Sequence, residues 1–426
     1  MLDRLQALQD SIKVAVIGVG SAGKGLVYQC ERTPGMQCVA IADINLARAA
    51  ACAEFTGREF RVVSEHGALQ DAIREKKLAV CEDGELLTSA DGVGVLIESS
   101  SSVAAGARHA LSALRHRKHV VMMNAEADLV FGPALLRAAR ENGVVYTSCE
   151  GDQPADISRL VAKIRLWGFE LVMAGNVKGF LDRYADPTSI VPEADKRGLD
   201  PKMCASYTDG SKLNIEMALV ANAFGCAPIV AGMQGPRAAH VRDALRLFDL
   251  EALWRTRRPL VEYVLGAEPK GGIFVVGYCD DPYQRSMLSW LPPAMGDGPF
   301  YVFYRPYHLV HVEAMECVAD AALDGRALLQ PWSGLRTNVY TYAKRDLHEG
   351  EVLDGIGGYT CYGLIDESAH EEESAGLPIC LCEGLTLRRS VSKDQKLLMR
   401  DVKFDPGSFE YRLFLEALHA DDGASS

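Results

Sequence analysis

Residues 13–43, KVAVIGVGSAGKGLVYQCERTPGMQCVAIAD, decide the fold. The apolar run Val14–Ile17 enters a turn carrying Gly18, Gly20 and Gly23. A helical stretch follows, and a second apolar run, Cys38–Ala42, ends in Asp43. Strand, glycine turn, helix, strand and acid, in that order, are the setting in which G-x-G-x-x-G binds a dinucleotide. Gly18 allows the tight turn, Gly20 lets the backbone approach a pyrophosphate, and Gly23 lets the helix lie close to the strand. Ser21 and Ala22 open that helix, whose N-terminus faces the phosphates. Asp43 stands where a carboxylate receives a ribose hydroxyl and so favours NAD. Arg48, just beyond Asn45, is placed to meet a 2′-phosphate, which leaves NAD and NADP both open.

Working outward, 426 residues suggest two or three domains at roughly 150 residues each. A hydrophobic fraction of 48% against 24% charged residues is ordinary globular composition. The net charge of −12 disfavours nucleic acid and anionic membrane as partners, but not a small anionic substrate in a local basic pocket. Twelve cysteines with no C-x-x-C pair suggest reduced thiols in a cytoplasmic protein. No apolar run is long enough to span a bilayer. The first thirteen residues place Leu2, Leu5 and Leu8 on one helical face and read as a packing helix rather than a signal peptide.

Beyond Asp43 the pattern alternates. Helical stretches are expected at 44–56, 68–77, 103–116 and 131–142, and strands at 93–97, 119–123 and 144–147, with a polar loop from Cys81 to Gly92. This predicts a doubly wound parallel sheet of Rossmann type over residues 1–150. Residues 151–335 read as an α+β domain for catalysis and dimerisation, with a long loop at 176–203 and a helix from Asp209 or Ser211 to Gly225. The same stretch contains strands in FVVGYC and FYVFYRPYHLV and a helix over 311–325. Residues 336–410 have short apolar runs and glycine turns, a small β-rich domain that includes the acidic loop HEEES. Residues 411–426 are expected to form a disordered tail.

A nicotinamide enzyme needs a substrate cradle at strand carboxyl ends, an acid or base, and a group opposing charge on oxygen. After the strand at 93–97, Ser99 and Ser100 either line the nicotinamide ribose or start the next helix. After 119–123, Asn124, Glu126 and Asp128 form a polar rim. After 144–147, Glu150 and Asp152 are suited to a divalent ion, Mg²⁺ or Mn²⁺, to substrate hydroxyls, or to a hinge. Lys212 is the first candidate for proton transfer. It lies in Asp209-Gly-Ser-Lys212-Leu-Asn214-Ile-Glu216, with Glu216 on its own helical face. A surface ion pair is the plain alternative for Lys212 and Glu216. Lys178 is the second candidate. Asp209, Asn214 and Glu216 are read as substrate-binding, and so are Arg305 and His308 in FYRPYHL, where Arg305 could clamp a carboxylate or phosphate. An aromatic strand with an ion pair is the competing reading of that last segment.

The segments GVGSAGKG, MMNAEADLVFGP, DGSKLNIEMALVANAFG, GPRA and FYRPYHL together resemble a homoserine-dehydrogenase-like family with a C-terminal SAF domain. It includes the deoxyxylulose phosphate reductoisomerase-like (DRL) enzymes. The resemblance covers residues 10–408, and residues 343–359 and 377–405 look like the SAF portion. It implies an NAD(P)-dependent oxidoreductase, a homodimer or higher homo-oligomer, and a small polyhydroxylated or phosphorylated carbonyl substrate. In some members, deoxyxylulose 5-phosphate rearranges and is then reduced. Lys212 would move the hydroxyl proton, and Glu126, Glu150 and Asp152 would order substrate hydroxyls or a metal. Two departures bear on the substrate. Asn124-Ala-Glu126 replaces the Ala-Asn-Lys of homoserine dehydrogenases, and Cys149-Glu150-Gly-Asp152 matches the Asp-Ser-Glu metal motif of ordinary reductoisomerases only in charge. The alternatives are a homoserine or sugar-acid dehydrogenase without isomerisation, and an inactive dinucleotide-binding regulator.

Overall fold

The computed structural model describes residues 1–290, 295–368 and 375–420. The loop HEEES and residues 421–426 of the expected tail lie outside the described residues. The chain divides into two compact units, 1–155 with 309–330 and the C-terminal segment from 413, and 156–308 with 331–412. This is not the three-way division expected from the sequence. Helix Val310–Asp324 belongs to the first unit, and the β-rich segment after 335 is continuous with the second.

In the first unit, seven strands form one parallel sheet: β1 (Ile12–Ile17), β2 (Met36–Ala42), β3 (Phe60–Val62), β4 (Leu78–Cys81), β5 (Val95–Glu98), β6 (His119–Met122) and β7 (Tyr146–Ser148). Their order is β3-β4-β2-β1-β5-β6-β7, with every pairing parallel. Strand β1 is central, and the order reverses between it and β5, so the ligand crevice of this architecture opens where Ile17 pairs with Glu98. The strands are buried on both faces, as helix-covered parallel sheets require. Strand β4 went unread in the sequence because Leu-Ala-Val-Cys is fully buried and too short to show a period.

Helix starts differ as well. The helix expected at 131–142 begins at Ala125, with Gly132-Pro133 inside it rather than before it. Asn124 caps that helix by accepting a hydrogen bond from the Ala127 amide at 3.0 Å, a contribution of about 1 kcal/mol. Residues 411–418 are not disordered. They belong to helix Phe409–Leu418, which buries Leu413, Phe414 and Ala417.

The second unit holds β8 (Glu170–Lys178), β9 (Ala227–Pro228), β10 (Leu260–Leu265), β11 (Ile273–Tyr278) and β12 (Phe300–Arg305) in the order β12-β11-β8-β10-β9. Strand β8 pairs parallel with β10 and antiparallel with β11. The expected loop at 176–203 instead begins with the end of β8 and carries helices Val191–Arg197 and Pro201–Thr208. The strand expected through FYRPYHL stops at Arg305. Strands β13 (Thr337–Ala343) and β14 (Cys361–Glu367) form an antiparallel pair, and β15 (Thr386–Leu387) and β16 (Val402–Lys403) form another.

Helix Ser211–Phe224 is the structural centre of this unit. Apart from Lys212 and its last residue it is buried throughout, and it packs against β8, β10 and the β13–β14 pair. A helix buried on every side is normally apolar throughout. This one carries Ser211, Asn214, Glu216 and Asn222 inside, so each needs a partner.

Candidate functional site

The dinucleotide cradle follows from sterics. Gly18 has φ +83°, and a Cβ there would lie 2.5 Å from the Ser100 amide nitrogen. A Cβ on Gly23 would strike the Gly18 carbonyl oxygen. Gly20 differs: a Cβ there would meet no atom within 4 Å. The protein does not fill the space over Gly20, which is what a pyrophosphate requires. Gly20 is also the N-cap of helix Ser21–Arg32, with no side-chain cap, so Ser21 and Ala22 stand in a first turn whose amides suit an anion.

Asp43 is buried and its carboxylate is engaged. Oδ2 accepts from the Val19 amide at 3.0 Å and Oδ1 from the Asn45 amide at 2.9 Å. The Arg48 guanidinium lies 3.4 Å from both oxygens, with its side chain 53% exposed. Asp43 therefore ties the glycine turn to the end of β2 and is partly neutralised by Arg48.

The serines after β5 brace the same turn. Ser99 Oγ donates to the carbonyls of Ile17 at 3.0 Å and Gly18 at 2.6 Å. Ser100 donates through its amide, at 2.8 Å, and its hydroxyl to Glu98 Oε1. The other Glu98 oxygen meets His109 Nδ1 at 2.9 Å. Burial opposes charge on His109, but its bond to Glu98 and the nearby carboxylates outweigh burial and raise its pKa. Asn124 donates to the carbonyls of Ser100 at 2.8 Å and Ser102 at 3.0 Å, a cross-tie between the turns after β5 and β6.

The polar rim after β6 is rearranged by the earlier helix start. Glu126 and Asp128 occupy the first helical turn. Asp128 is buried and accepts from Tyr146 Oη and Ser148 Oγ, each at 2.5 Å. Burial pushes its carboxyl up to about 6 despite both bonds. Glu150 is buried and its amide donates to Cys317 Sγ at 3.3 Å, while Asp152 accepts from the Gln153 amide. Among the described residues no three His, Cys, Asp or Glu side chains gather into a metal-binding group. Glu150 and Asp152 thus gain no third ligand from the described residues.

In the second unit, the residues of DGSKLNIEMALVAN face two ways. Ser211 Oγ accepts from the Gly363 amide at 2.8 Å, and Asn214 Oδ1 accepts from the Ile365 amide at 2.9 Å. Asn222 exchanges both bonds with the Thr337 backbone, 2.9 and 3.1 Å. Gly363 and Ile365 alternate along β14, so Ser211 and Asn214 satisfy the strand edge that β13 leaves open, while Asn222 holds the start of β13. Asp209 forms a buried ion pair with Lys344 at 2.8 Å, and the same ammonium donates to the carbonyls of Ala185 and Gly358 at 2.6 and 2.7 Å. Burial raises the Asp209 pKa, against the pull of Lys344. Asp209 and Asn214, read as substrate-binding, are thus occupied in holding the helix to the segment after residue 335.

Glu216 faces the other way, toward β8. Its Oε2 receives Lys178 Nζ at 3.4 Å and Asn176 Nδ2 at 3.2 Å. Glu216 is buried, and the Lys178 side chain is 18% exposed. Lys212, partly buried, precedes Glu216 by one helical turn. The structure therefore brings Lys178 to Glu216, with Lys212 on the adjoining turn. An ammonium beside a carboxylate at the end of a buried strand can pass a proton to or from a substrate oxygen. Arg305 pairs with buried Asp156 at 3.0 Å and lies over the Tyr307 ring at 4.5 Å, and His308 follows in a partly exposed segment. Asn176 was missed because it stands where the sequence reading began a loop. Its alternation with Lys178 on one strand face was the available signal.

Residues 18–148 match the family described as homoserine dehydrogenase, NAD binding domain, and residues 151–314 match oxidoreductase DRL, catalytic domain. No curated protein matches the chain. Among solved structures, a probable dehydrogenase from Thermotoga maritima is similar at 10% identity with a TM-score of 0.42, covering 74% of this chain and 90% of that one. A myo-inositol dehydrogenase from Corynebacterium glutamicum is similar at 10% identity and a TM-score of 0.36, covering 63% and 73%. The WlbA dehydrogenase from Bordetella pertussis, solved with NADH and UDP-GlcNAcA, is similar at 15% identity and a TM-score of 0.32, covering 43% and 50%. The glycine cradle and the lysine–glutamate cluster fall within the two matched segments, and the chain is an NAD(P)-dependent oxidoreductase, similar in its first segment to a homoserine dehydrogenase NAD-binding domain and in its second to a DRL catalytic domain.

Proposed function

We propose that this oxidoreductase acts on a small polyhydroxylated or phosphorylated carbonyl compound of the deoxyxylulose 5-phosphate type, with a rearrangement preceding reduction. The observation that carries the reading is the grouping of Lys178, Asn176 and Glu216, with Lys212 one turn away, inside the DRL catalytic segment. NAD(P)H, when bound, supplies the hydride. Lys212 protonates the oxygen of the carbonyl being reduced. A rearrangement needs a second proton carrier, and Lys178, held by Glu216, is suited to that role. Neither partner of this pair is far exposed, so water competes little for the proton.

The end of β2 bears on the choice of dinucleotide. Both Asp43 oxygens already serve the turn, and Arg48 stands beside them with over half its side chain in solvent. This supports acceptance of a 2′-phosphate as well as a plain ribose. The twelve cysteines, none of them in a disulfide, suit a reducing compartment such as the cytoplasm.

The test is turnover of NADPH and NADH with 1-deoxy-D-xylulose 5-phosphate, other sugar phosphates, sugar acids and homoserine, with and without Mg²⁺, and with product analysis. We expect reduction of a sugar phosphate. Lys212→Ala should lower kcat by ~10²-fold or more while NAD(P)H affinity, read by fluorescence quenching, is unchanged. Unaltered turnover in that variant would remove Lys212 from its role. Failure of either dinucleotide to bind would end the catalytic reading, and a reduced but unrearranged product would make the protein a simple dehydrogenase.

A further inference from the structure

Asn176 is buried in β8, and its Oδ1 has no hydrogen-bond partner among the described residues. Its Nδ2 donates to Glu216 Oε2, which fixes the amide orientation, because the reverse would set oxygen against carboxylate. The oxygen is thus a buried acceptor awaiting a donor, an arrangement native interiors rarely leave without purpose. It belongs to the same face of β8 as Lys178, whose ammonium is directed to the same Glu216 oxygen. Lys178 already balances the charge of Glu216, so nothing there calls for a second cation, and a neutral donor such as a hydroxyl suits the oxygen.

We propose that Asn176 orients the substrate by accepting a hydrogen bond from one of its hydroxyls, which makes the DRL segment selective for a hydroxylated compound over an amino alcohol. This rests on the reading of Lys178 and Glu216 as part of the catalytic site. A site that hydrogen-bonds a hydroxyl rejects the analogue lacking it strongly, since its own buried group is then left unpaired.

The test has one arm that needs no substrate. A crystal structure of the wild-type protein with NADPH alone shows what surrounds the oxygen before substrate binds. Asn176 Oδ1 should meet at most an ordered, displaceable water there, and a protein N–H or O–H bonded to it would overturn the proposal. The second arm uses the wild-type protein, crystallised with NADP⁺ and 1-deoxy-D-xylulose 5-phosphate. A probe hydroxyl within hydrogen-bond distance of Asn176 Oδ1 supports the assignment, and a bound probe with Oδ1 facing only water overturns it. The third arm compares the probe with its singly deoxygenated analogues and with homoserine. The wild type should disfavour one analogue by ~10²-fold or more in kcat/KM, homoserine should not turn over, and Asn176→Leu should abolish the difference. Equal discrimination by wild type and variant overturns the proposal. If no sugar phosphate binds, the substrate reading above fails by itself, while the substrate-free crystal structure still decides whether the oxygen lacks a protein donor.

Discussion

The glycine turn at 18–23 and helix Ser211–Phe224 are both short stretches rich in residues that sequence marks as functional, yet different physics holds them. The turn is shaped by its own backbone. Gly18 and Gly23 are required because a Cβ would meet atoms of the turn and of the segment after β5. The helix is shaped by distant partners. Asp209, just before it, is paired with Lys344, and Asn214 and Asn222 bond to backbone groups of Ile365 and Thr337. In the first region, residue type implies role. In the second, a polar residue serves the hairpin edge or the cluster around Lys178, according to which side of the helix it occupies.

The strongest way to test that contrast is Lys344→Met. It leaves Asp209 buried without its cation and strips the carbonyls of Ala185 and Gly358 of their donor. A loss of about 3–5 kcal/mol is expected in urea unfolding at neutral pH. The loss should shrink in acid, where Asp209 takes up a proton, and shrink also when Asp209→Asn is added. A loss below ~1 kcal/mol at neutral pH would mean that the helix does not depend on this pair.

These partners explain how much could be read from sequence. The parallel sheet, its central strand and the glycine cradle were legible because apolar runs and local sterics carry them. Strand β4 was not, since four buried residues show no period, and the helix at Ala125 was not, since Phe-Gly-Pro imitates a helix start that the structure runs through. Lys178 with Glu216 was legible only as two separate candidates, and Asn176 not at all once residue 176 was read as loop. The structural partners of Asp209 and Asn214, Lys344 and Ile365, were not legible, because they lie more than a hundred residues away.

Asp128 offers a second test, now in the first unit, of what an engaged buried carboxylate does. Hydroxyls rather than a cation hold it, and burial pushes its pKa up to about 6, from about 4 when unfolded. The folded state therefore binds the extra proton between those values. The stability this provides is complete below about pH 4 and is lost as pH rises through about 6. Two pKa units correspond to up to ~3 kcal/mol. Asp128→Asn lacks this titration, so its stability relative to wild type should climb by that order between pH 4 and pH 7. A pH-independent difference would show that the two hydroxyls fully offset the burial, unlike the Lys344 ammonium at Asp209, where burial prevails.

The finest distinction lies within the turn. Gly23→Ala forces a methyl against the Gly18 carbonyl, and the overpacking should cost about 1–3 kcal/mol together with dinucleotide binding. Gly20→Ala places its methyl in open space at φ −63°, so urea unfolding of the free protein should shift by well under ~1 kcal/mol. Yet the methyl enters the space over the N-terminus of helix Ser21–Arg32, and fluorescence titration with NADH and NADPH should show affinity falling for both. If Gly20→Ala bound both dinucleotides normally, the empty space over Gly20 would not be where the pyrophosphate goes, and the turn would be no easier to read from sequence than the helix.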